Sequence, residues 1–84
     1  MSPLLSDTNR RVVGTRQIIR AAAQGKLACV YIADDVDGKV RAQIEEACKG
    51  AGVPIEKAAS MKEIGAACKI AVSAAAAGIL KESE

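Results

Sequence analysis

The chain has 84 residues and a mass of 8.7 kDa, which is enough for one small domain, since chains divide into several cores only beyond about 250 residues. Hydrophobic residues make up 50% of it and the formal net charge is +2, a balance that excludes an intrinsically disordered chain. Histidine is absent, which removes the commonest physiological acid or base and the commonest metal ligand. We therefore expect one globular domain over residues 1–84, with no metal and no cofactor.

The three cysteines give no metal or disulfide pattern. Cys29, Cys48 and Cys68 stand far apart without a Cys-x-x-Cys pair, and each lies in a run that indicates a buried position. An odd number of free cysteines is typical of a reducing compartment. The longest uncharged stretch, residues 70–80, has eleven residues, whereas about 20 are needed to cross a bilayer. No apolar signal segment is evident at the N-terminus. We predict three core cysteines and a cytoplasmic protein.

The first third of the chain predicts a strand followed by a basic helix. Residues 1–9 are interpreted as a partly ordered lead-in, and residues 11–13 as a short strand. A flexible glycine and a hydroxyl then favour a helix start, and the helical pattern runs to Gln24, with Gly25 as its stop. The apolar and polar residues of this helix fall on different faces: Ile18, Ile19, Ala22 and Ala23 on one, and Arg16, Gln17, Arg20 and Gln24 on another.

Cations concentrate in this part of the sequence. Residues 8–26 contain five cations and no acid, a charge of +5, while the other seven cations and ten acids sum to −3. Four of the five cations are arginine, which suits bidentate contacts to phosphate or guanine. Such segregation is typical of a surface that binds nucleic acid, although a solvated helix face gives the same pattern.

The middle of the chain predicts a central strand and a second helix. Residues 27–33 (LACVYIA) form an unbroken apolar run, as expected for a strand covered on both faces. Asp37 is a suitable cap for a helix that Gly50 and Gly52 end, with Arg41 to Glu45 and Glu45 to Lys49 as ion pairs. The expected buried stripe of this helix consists of Val40, Ile44, Ala47 and Cys48.

The last third predicts an edge strand, a short helix and a buried strand. Residues 53–55 resume an extended conformation with a proline that suits an edge strand. Ser60 and Glu63 have the capping-box spacing, which predicts a third helix to Ala67 and then a loop over residues 68–71. Residues 72–80 are assigned to a strand, although the alanines at 74–77 favour helix by propensity. The alternation predicts a three-layer α/β/α sandwich with a mixed four-stranded sheet.

Two kinds of chemistry suit these residues. Asp34, Asp35 and Asp37 follow the central strand and would suit Mg²⁺, but Asp37 is also the expected helix cap. A glycine at a strand-to-helix junction instead exposes the first helix amides to phosphate, and Gly14 occupies that position. The sequence has one aromatic residue, Tyr31, and so lacks a stacking platform for unstructured single strands. A folded RNA is the better candidate ligand.

Five segments occur in a recognisable order: residues 14–20 (GTRQIIR), residue 25, residues 33–37 (ADDVD), residues 53–54 (VP) and residues 60–76 (SMKEIGAACKIAVSAAA). Together they resemble the kink-turn-binding ribosomal proteins of archaea and eukaryotes, and they are most similar to the small bacterial members. The similarity covers residues 11–80. It implies an α/β/α sandwich that binds kink-turns, which are sharply bent internal loops of RNA with tandem sheared G·A pairs.

The resemblance also implies which residues contact RNA. The segment that enters the major groove at the G·A pairs matches Gly14, Thr15, Arg16, Gln17 and Arg20. The loop that covers flipped or stacked nucleotides matches Ile70, Ala71, Val72 and Ser73, and Lys69 beside it is placed to meet a phosphate. The chain departs from the family pattern at three of these positions, where the family usually has Asn, Glu and Gly: Arg16, Gln17 and Lys69.

The leading hypothesis is a non-catalytic, ribosome-associated protein that stabilises a kink-turn in ribosomal RNA or in a structured messenger leader. The two departures in the helix motivate an alternative, a protein-interaction or regulatory subunit with the same fold and no kink-turn binding. A small-molecule enzyme ranks third, and it would depend on the Asp34-Asp35 edge rather than on the arginine face.

Overall fold

Strands and helices alternate along the chain in the computed structural model, which describes residues 1–82. A short 3-10 helix, Pro3–Ser6, comes first. The helices are α1 (Thr15–Ala23), α2 (Gly38–Ala51) and α3 (Met61–Ala67). The strands are β1 (Arg11–Val13), β2 (Leu27–Ala33), β3 (Ile55–Ala58) and β4 (Ala76–Leu80). The predicted order of elements is confirmed.

The four strands form one mixed sheet in the order β1-β4-β2-β3. β2 and β3 are parallel, whereas β4 lies between β1 and β2 and is antiparallel to both. The ends of β1, β2 and β3 therefore meet the start of β4 at one edge of the sheet, here called the upper edge. All three helices begin there. The start of β1 and the end of β4 lie at the opposite, lower edge.

Helices cover both faces of the sheet. On one face, α1 and α2 pack side by side over Val30 and Ile32 of β2. On the other, α3 and the 3-10 helix pack over Tyr31 and Ala33. Successive residues of β2 thus point into different cores, as the two-residue period of a strand requires. The three-layer α/β/α sandwich is confirmed. Among residues 1–82, no helix combines the length and apolarity that crossing a membrane requires.

The N-terminal lead-in is more ordered than the sequence predicts. Ser2 caps the 3-10 helix, and Leu5 within it is fully buried in the core on the α3 side. One short turn is too brief to show a helical period, so this core residue is not visible in the pattern.

Several local predictions are corrected. Gly50 lies inside α2, and only Gly52, in a left-handed conformation, ends that helix. β4 begins at residue 76, so residues 72–75 belong to the preceding loop. Cys29 is half-buried, whereas Cys48 and Cys68 are core residues. In the described part of the chain, the two predicted ion pairs of α2 do not form.

Arg41, a member of one of those predicted pairs, turns towards the end of β2. It donates to the carbonyls of Ala33 and Asp34 at 3.0 and 3.2 Å. The same Nη2 atom lies 3.7 Å from the Asp34 carboxylate. These hydrogen bonds satisfy backbone carbonyls at the end of β2. They contribute more to stability than a solvated ion pair on the surface of α2 would.

Candidate functional site

Two of the three helix N-termini at the upper edge are capped by side chains. Asp37 accepts from the Lys39 amide at 2.8 Å, which confirms its predicted role at α2. Ser60 accepts from the Glu63 amide at 3.0 Å, as the capping-box spacing predicts for α3. Asp35 accepts from the first amide of α3, that of Met61, at 2.8 Å. These carboxylates satisfy backbone donors, and residues 1–82 contain no cluster of three or more acidic, cysteine or histidine side chains placed to hold a metal.

The third N-terminus, that of α1, carries no side-chain cap. It begins after Gly14, whose φ of 95° and ψ of 153° are readily available only to glycine. The Gly14 carbonyl accepts from the Ile18 amide at 3.1 Å and starts the helix. The amides of the first turn therefore have no side-chain acceptor and form the positive end of the helix dipole, an arrangement that suits an anion.

The exposed face of α1 extends this open end. Ile18 is fully buried, while Arg16, Gln17 and Arg20 are exposed. Within residues 1–82, these three side chains form no hydrogen bond or ion pair, so their donors are available to a ligand. Thr15 is half-buried at the first position of the helix.

The loop between α3 and β4 supplies the second predicted segment. Lys69 is exposed and has a φ of 57°, the one positive φ of a non-glycine residue in the described chain. It thus keeps the left-handed backbone that a glycine adopts freely, at a cost of about 1 kcal/mol. Ile70 is half-buried against the α3 core, and Ala71 and Ser73 are exposed. Val72 is 69% exposed, the largest exposed fraction among the described large hydrophobic side chains.

A glycine that the sequence analysis does not single out supports this loop. The amide of Ile70 donates to the carbonyl of Gly65 at 3.1 Å, and the amide of Ala74 donates to that of Met61 at 3.1 Å. A Cβ at position 65 would overlap the carbonyl oxygen of Val72 and lie 3.1 Å from the Cα of Ser73. The available signal is a glycine inside a short predicted helix, which indicates close backbone approach.

Main-chain hydrogen bonds join the two segments at the upper edge. The Gly14 amide donates to the Ala76 carbonyl at 3.0 Å, and the Ala33 amide donates to the Ala75 carbonyl at 3.0 Å. The start of α1 is therefore fixed beside the end of the loop. The structure places all ten predicted site residues on these two adjoining segments: Gly14, Thr15, Arg16, Gln17, Arg20, Lys69, Ile70, Ala71, Val72 and Ser73.

The basic segment of the sequence does not form a single patch. Arg16 and Arg20 lie on the exposed face of α1, whereas Arg10 and Lys26 lie at the lower edge of the sheet. Arg11 is in β1, near Cys68, where burial raises the pKa of the thiol and the charge of Arg11 opposes only part of that rise. Strand and helix directions thus separate residues that are neighbours in sequence.

The thiols are not activated for chemistry. Burial raises the pKa of Cys48, and burial also raises the pKa of Cys68 against the smaller opposing effect of Arg11. At half-buried Cys29, burial and then the charge of Glu56 raise the pKa. A raised pKa keeps the neutral thiol, which is a poor nucleophile.

Comparison with known proteins places the chain in a family. A family model described as the ribosomal protein L7Ae/L30e/S12e/Gadd45 family matches residues 2–84. The chain therefore belongs to this family, whose class of fold is the α/β sandwich described above.

Comparisons with individual proteins are consistent with membership of this family. The chain is 46% identical over 72 residues to an RNA-binding protein of Geobacillus sp. strain WCH70, covering 86% of this chain and 88% of that protein. It is 44% identical over 70 residues to RNA-binding protein YbxF of Geobacillus stearothermophilus, covering 83% and 85%. Among solved structures, a 15.5 kD RNA-binding protein of Giardia lamblia has a TM-score of 0.86 at 26% identity, covering 96% and 68% of the two chains.

Proposed function

We propose that this protein binds structured RNA in the cytoplasm and that it recognises and stabilises a kink-turn, with ribosomal RNA or a structured messenger leader as the target. The observation that carries the proposal is the pairing of an uncapped helix N-terminus with an exposed apolar loop, held together by the bond from Gly14 to Ala76. The helix N-terminus suits phosphates and base edges, and the apolar loop suits the face of an unstacked nucleotide. The relatives named as RNA-binding proteins support RNA as the class of ligand.

Each residue then has a role. Gly14, whose own amide is bonded to Ala76, lets the RNA approach the open helix end, and the amide of Thr15, free within the described residues, contacts an RNA oxygen there. Gln17 reads a base edge, since its amide both donates and accepts, and Arg16 and Arg20 contact phosphates or guanine edges.

The loop completes the proposed contact. Ile70, Ala71 and Val72 cover a nucleotide that the kink leaves unstacked, with Ser73 beside them. Lys69 meets a neighbouring phosphate. No covalent chemistry is required of any of these groups, and the function is binding rather than catalysis.

The proposed mechanism is a shift in population. A free kink-turn samples extended forms, and a protein that contacts only the kinked form stabilises it by its difference in affinity for the two. The open α1 terminus and the Val72 loop together would distinguish the two forms, because the loop is proposed to cover a nucleotide that only the kinked form leaves unstacked.

The test is a salt titration of binding to two short RNAs. One carries a consensus kink-turn, and the other has Watson–Crick pairs in place of the sheared G·A pairs. We expect at least tenfold tighter binding to the kink-turn, equivalent to about 1.4 kcal/mol. Equal binding with a steep salt dependence would reduce the interaction to a non-specific basic surface. Binding to neither RNA would favour a protein partner instead, the candidate motivated by Arg16 and Gln17.

A further inference from the structure

A second group of cations surrounds a pocket at the lower edge of the sheet. The pocket has a volume of about 400 Å³ and lies between the start of β1, the α1–β2 turn and the end of β4. Within residues 1–82, its lining includes Arg10, Lys26 and Lys81, and a single carboxylate, that of Glu82. Two of these cations belong to the basic segment of the sequence that the upper-edge site does not use.

Arg10 is oriented by the end of β4. Its Nη2 atom donates to the Leu80 carbonyl at 3.3 Å, and its Nη1 atom lies 4.0 Å from the Glu82 carboxylate. This ion pair is long, and the Glu82 side chain is 86% exposed to solvent. It therefore neutralises little of the arginine charge. The Nε atom of Arg10 is buried and has no hydrogen-bond partner within the described residues. That buried atom is out of a ligand's reach, but the Leu80 carbonyl holds the guanidinium beside the pocket and the weak ion pair leaves most of its positive charge for an anion there.

Two lysines oppose each other next to it. The amide of Lys81 donates to the carbonyl of Lys26 at 2.8 Å, which extends the β2–β4 ladder one pair beyond Leu27 and Leu80. Like charges at directly opposite positions of an antiparallel pair repel. An anion between them converts this repulsion into attraction, and the arginine adds a third positive charge on the same pocket.

We propose that this lower-edge pocket, formed by Arg10, Lys26 and Lys81, is a second phosphate-binding site that holds the backbone of an RNA stem. The proposal rests on the proposed function, because it takes the RNA bound at the upper edge as the source of the phosphate. The two sites lie at the two ends of α1, whose nine residues span about 14 Å. An RNA stem that continues from the first site along α1 for this distance therefore reaches the second site.

The experiment compares a double variant with RNAs of two lengths. Lys26→Gln/Lys81→Gln is measured against a kink-turn with one stem cut to end at the first site, short of the lower-edge pocket, and against the same kink-turn with that stem lengthened by a full duplex turn. We expect a loss of about tenfold on the long RNA and none on the short RNA. The salt slope on the long RNA should fall by about 2, one for each lost phosphate contact.

Two further variants sharpen the test. Lys49→Gln/Lys57→Gln removes the same charge from exposed positions outside the pocket, and it should leave the difference between the two RNAs intact. Glu82→Gln removes the competing carboxylate and should tighten binding of the long RNA only. Thermal melts of all variants check that the fold is retained.

The outcomes separate this proposal from the first one. If the wild-type protein prefers the kink-turn but the double variant loses no affinity for the long RNA, or loses the same factor on both lengths, the second site is overturned and the proposed function stands. A second experiment adds inorganic phosphate to the protein alone and follows the NMR chemical shifts of the Lys26 and Lys81 amides. Shifts with phosphate but no dependence on RNA length would identify a small-anion site and overturn the assignment to RNA.

Discussion

The backbone of Gly65 in α3 lies directly against the carbonyl oxygen of Val72, so close that a single methyl group on residue 65 would overlap it. Val72, which carries the exposed apolar side chain of the candidate site, therefore packs through its backbone against a residue that has no side chain. The distance between α3 and the loop is set by backbone contact, which is less compressible than contact between flexible side chains.

Gly65→Ala should displace the loop and weaken RNA binding. Because the overlap is with backbone atoms, we expect the free energy of unfolding to fall by about 1 to 3 kcal/mol. Affinity for the kink-turn RNA should fall further than this loss explains, measured at a temperature where the variant is fully folded. Urea titration and RNA titration of the same preparation provide both values.

Gly50→Ala is the matched control. Gly50 is also a helical glycine, but a Cβ there meets nothing within 4 Å. The substitution should raise the free energy of unfolding by about 0.5 to 1 kcal/mol through helix propensity and leave RNA binding unchanged. A Gly65→Ala protein as stable and as active as this control would contradict the role given to residue 65.

Gln17→Ala and Arg20→Ala should affect binding in different ways. Gln17→Ala should reduce the binding free energy for the kink-turn by about 1 to 3 kcal/mol and reduce discrimination against the Watson–Crick control. Loss of the guanidinium should weaken binding to both RNAs and lower the salt slope by about 1. Both side chains are exposed, so neither change should alter the melting temperature appreciably. Equal losses on the two RNAs for Gln17→Ala would remove its assignment to base reading.

Gly14→Ala tests the turn into α1. Its φ of 95° is strained for any residue with a side chain, while the surrounding space is open. We expect the free energy of unfolding to fall by about 1 to 3 kcal/mol, from conformational strain alone. Gly38→Ala, at the first position of α2 and also in open space, lacks that strain and should be nearly neutral or stabilising. Chemical denaturation of the two variants distinguishes strain from a general effect of adding a methyl group.

Stability should fall in alkaline solution. Burial raises the pKa of Cys48 from the ordinary thiol value of 9.0, so above that pH the unfolded chain releases a proton that the folded chain retains. Rising pH therefore favours unfolding, whereas below that value both states are protonated and this thiol contributes no slope. Burial raises the pKa of Tyr31 as well, which extends the effect to higher pH.

Urea midpoints measured from about pH 8 to about pH 11 report this slope. Cys48→Ala should make the decline shallower, even though the cavity it leaves lowers stability at every pH. A decline of unchanged steepness in that variant would show that other groups are responsible.

Much of the fold is predictable because local and global signals agree. The apolar run of residues 27–33 and the capping box at Ser60 fix their elements correctly, since each has its own chemical signature. The place where β4 begins is not predictable, because the alanines at 74–77 suit helix, strand and loop almost equally. The buried Leu5 depends on a tertiary contact for which a single short turn carries no periodic signal.

The candidate site is predictable only in part. Its ten residues follow from the motifs and the resemblance, but the sequence does not show that they are neighbours. That depends on β4 lying between β1 and β2, a long-range pairing. The division of the basic segment between the two edges of the sheet has the same cause, because charge counted along the chain ignores the direction of each strand.

The pairing of β1 with β4 also determines when the site comes into being. Val13 and Ala77 are register partners although more than sixty residues separate them along the chain, so closing this ladder requires the ends of the molecule to meet. We expect contacts of such high sequence separation to form late in folding, because the entropy of closing the intervening loop must first be offset. Neither an N-terminal nor a C-terminal fragment contains both halves of the surface. On the proposed function, we therefore expect affinity for RNA only in molecules that have closed this ladder, and not in nascent or partly unfolded ones.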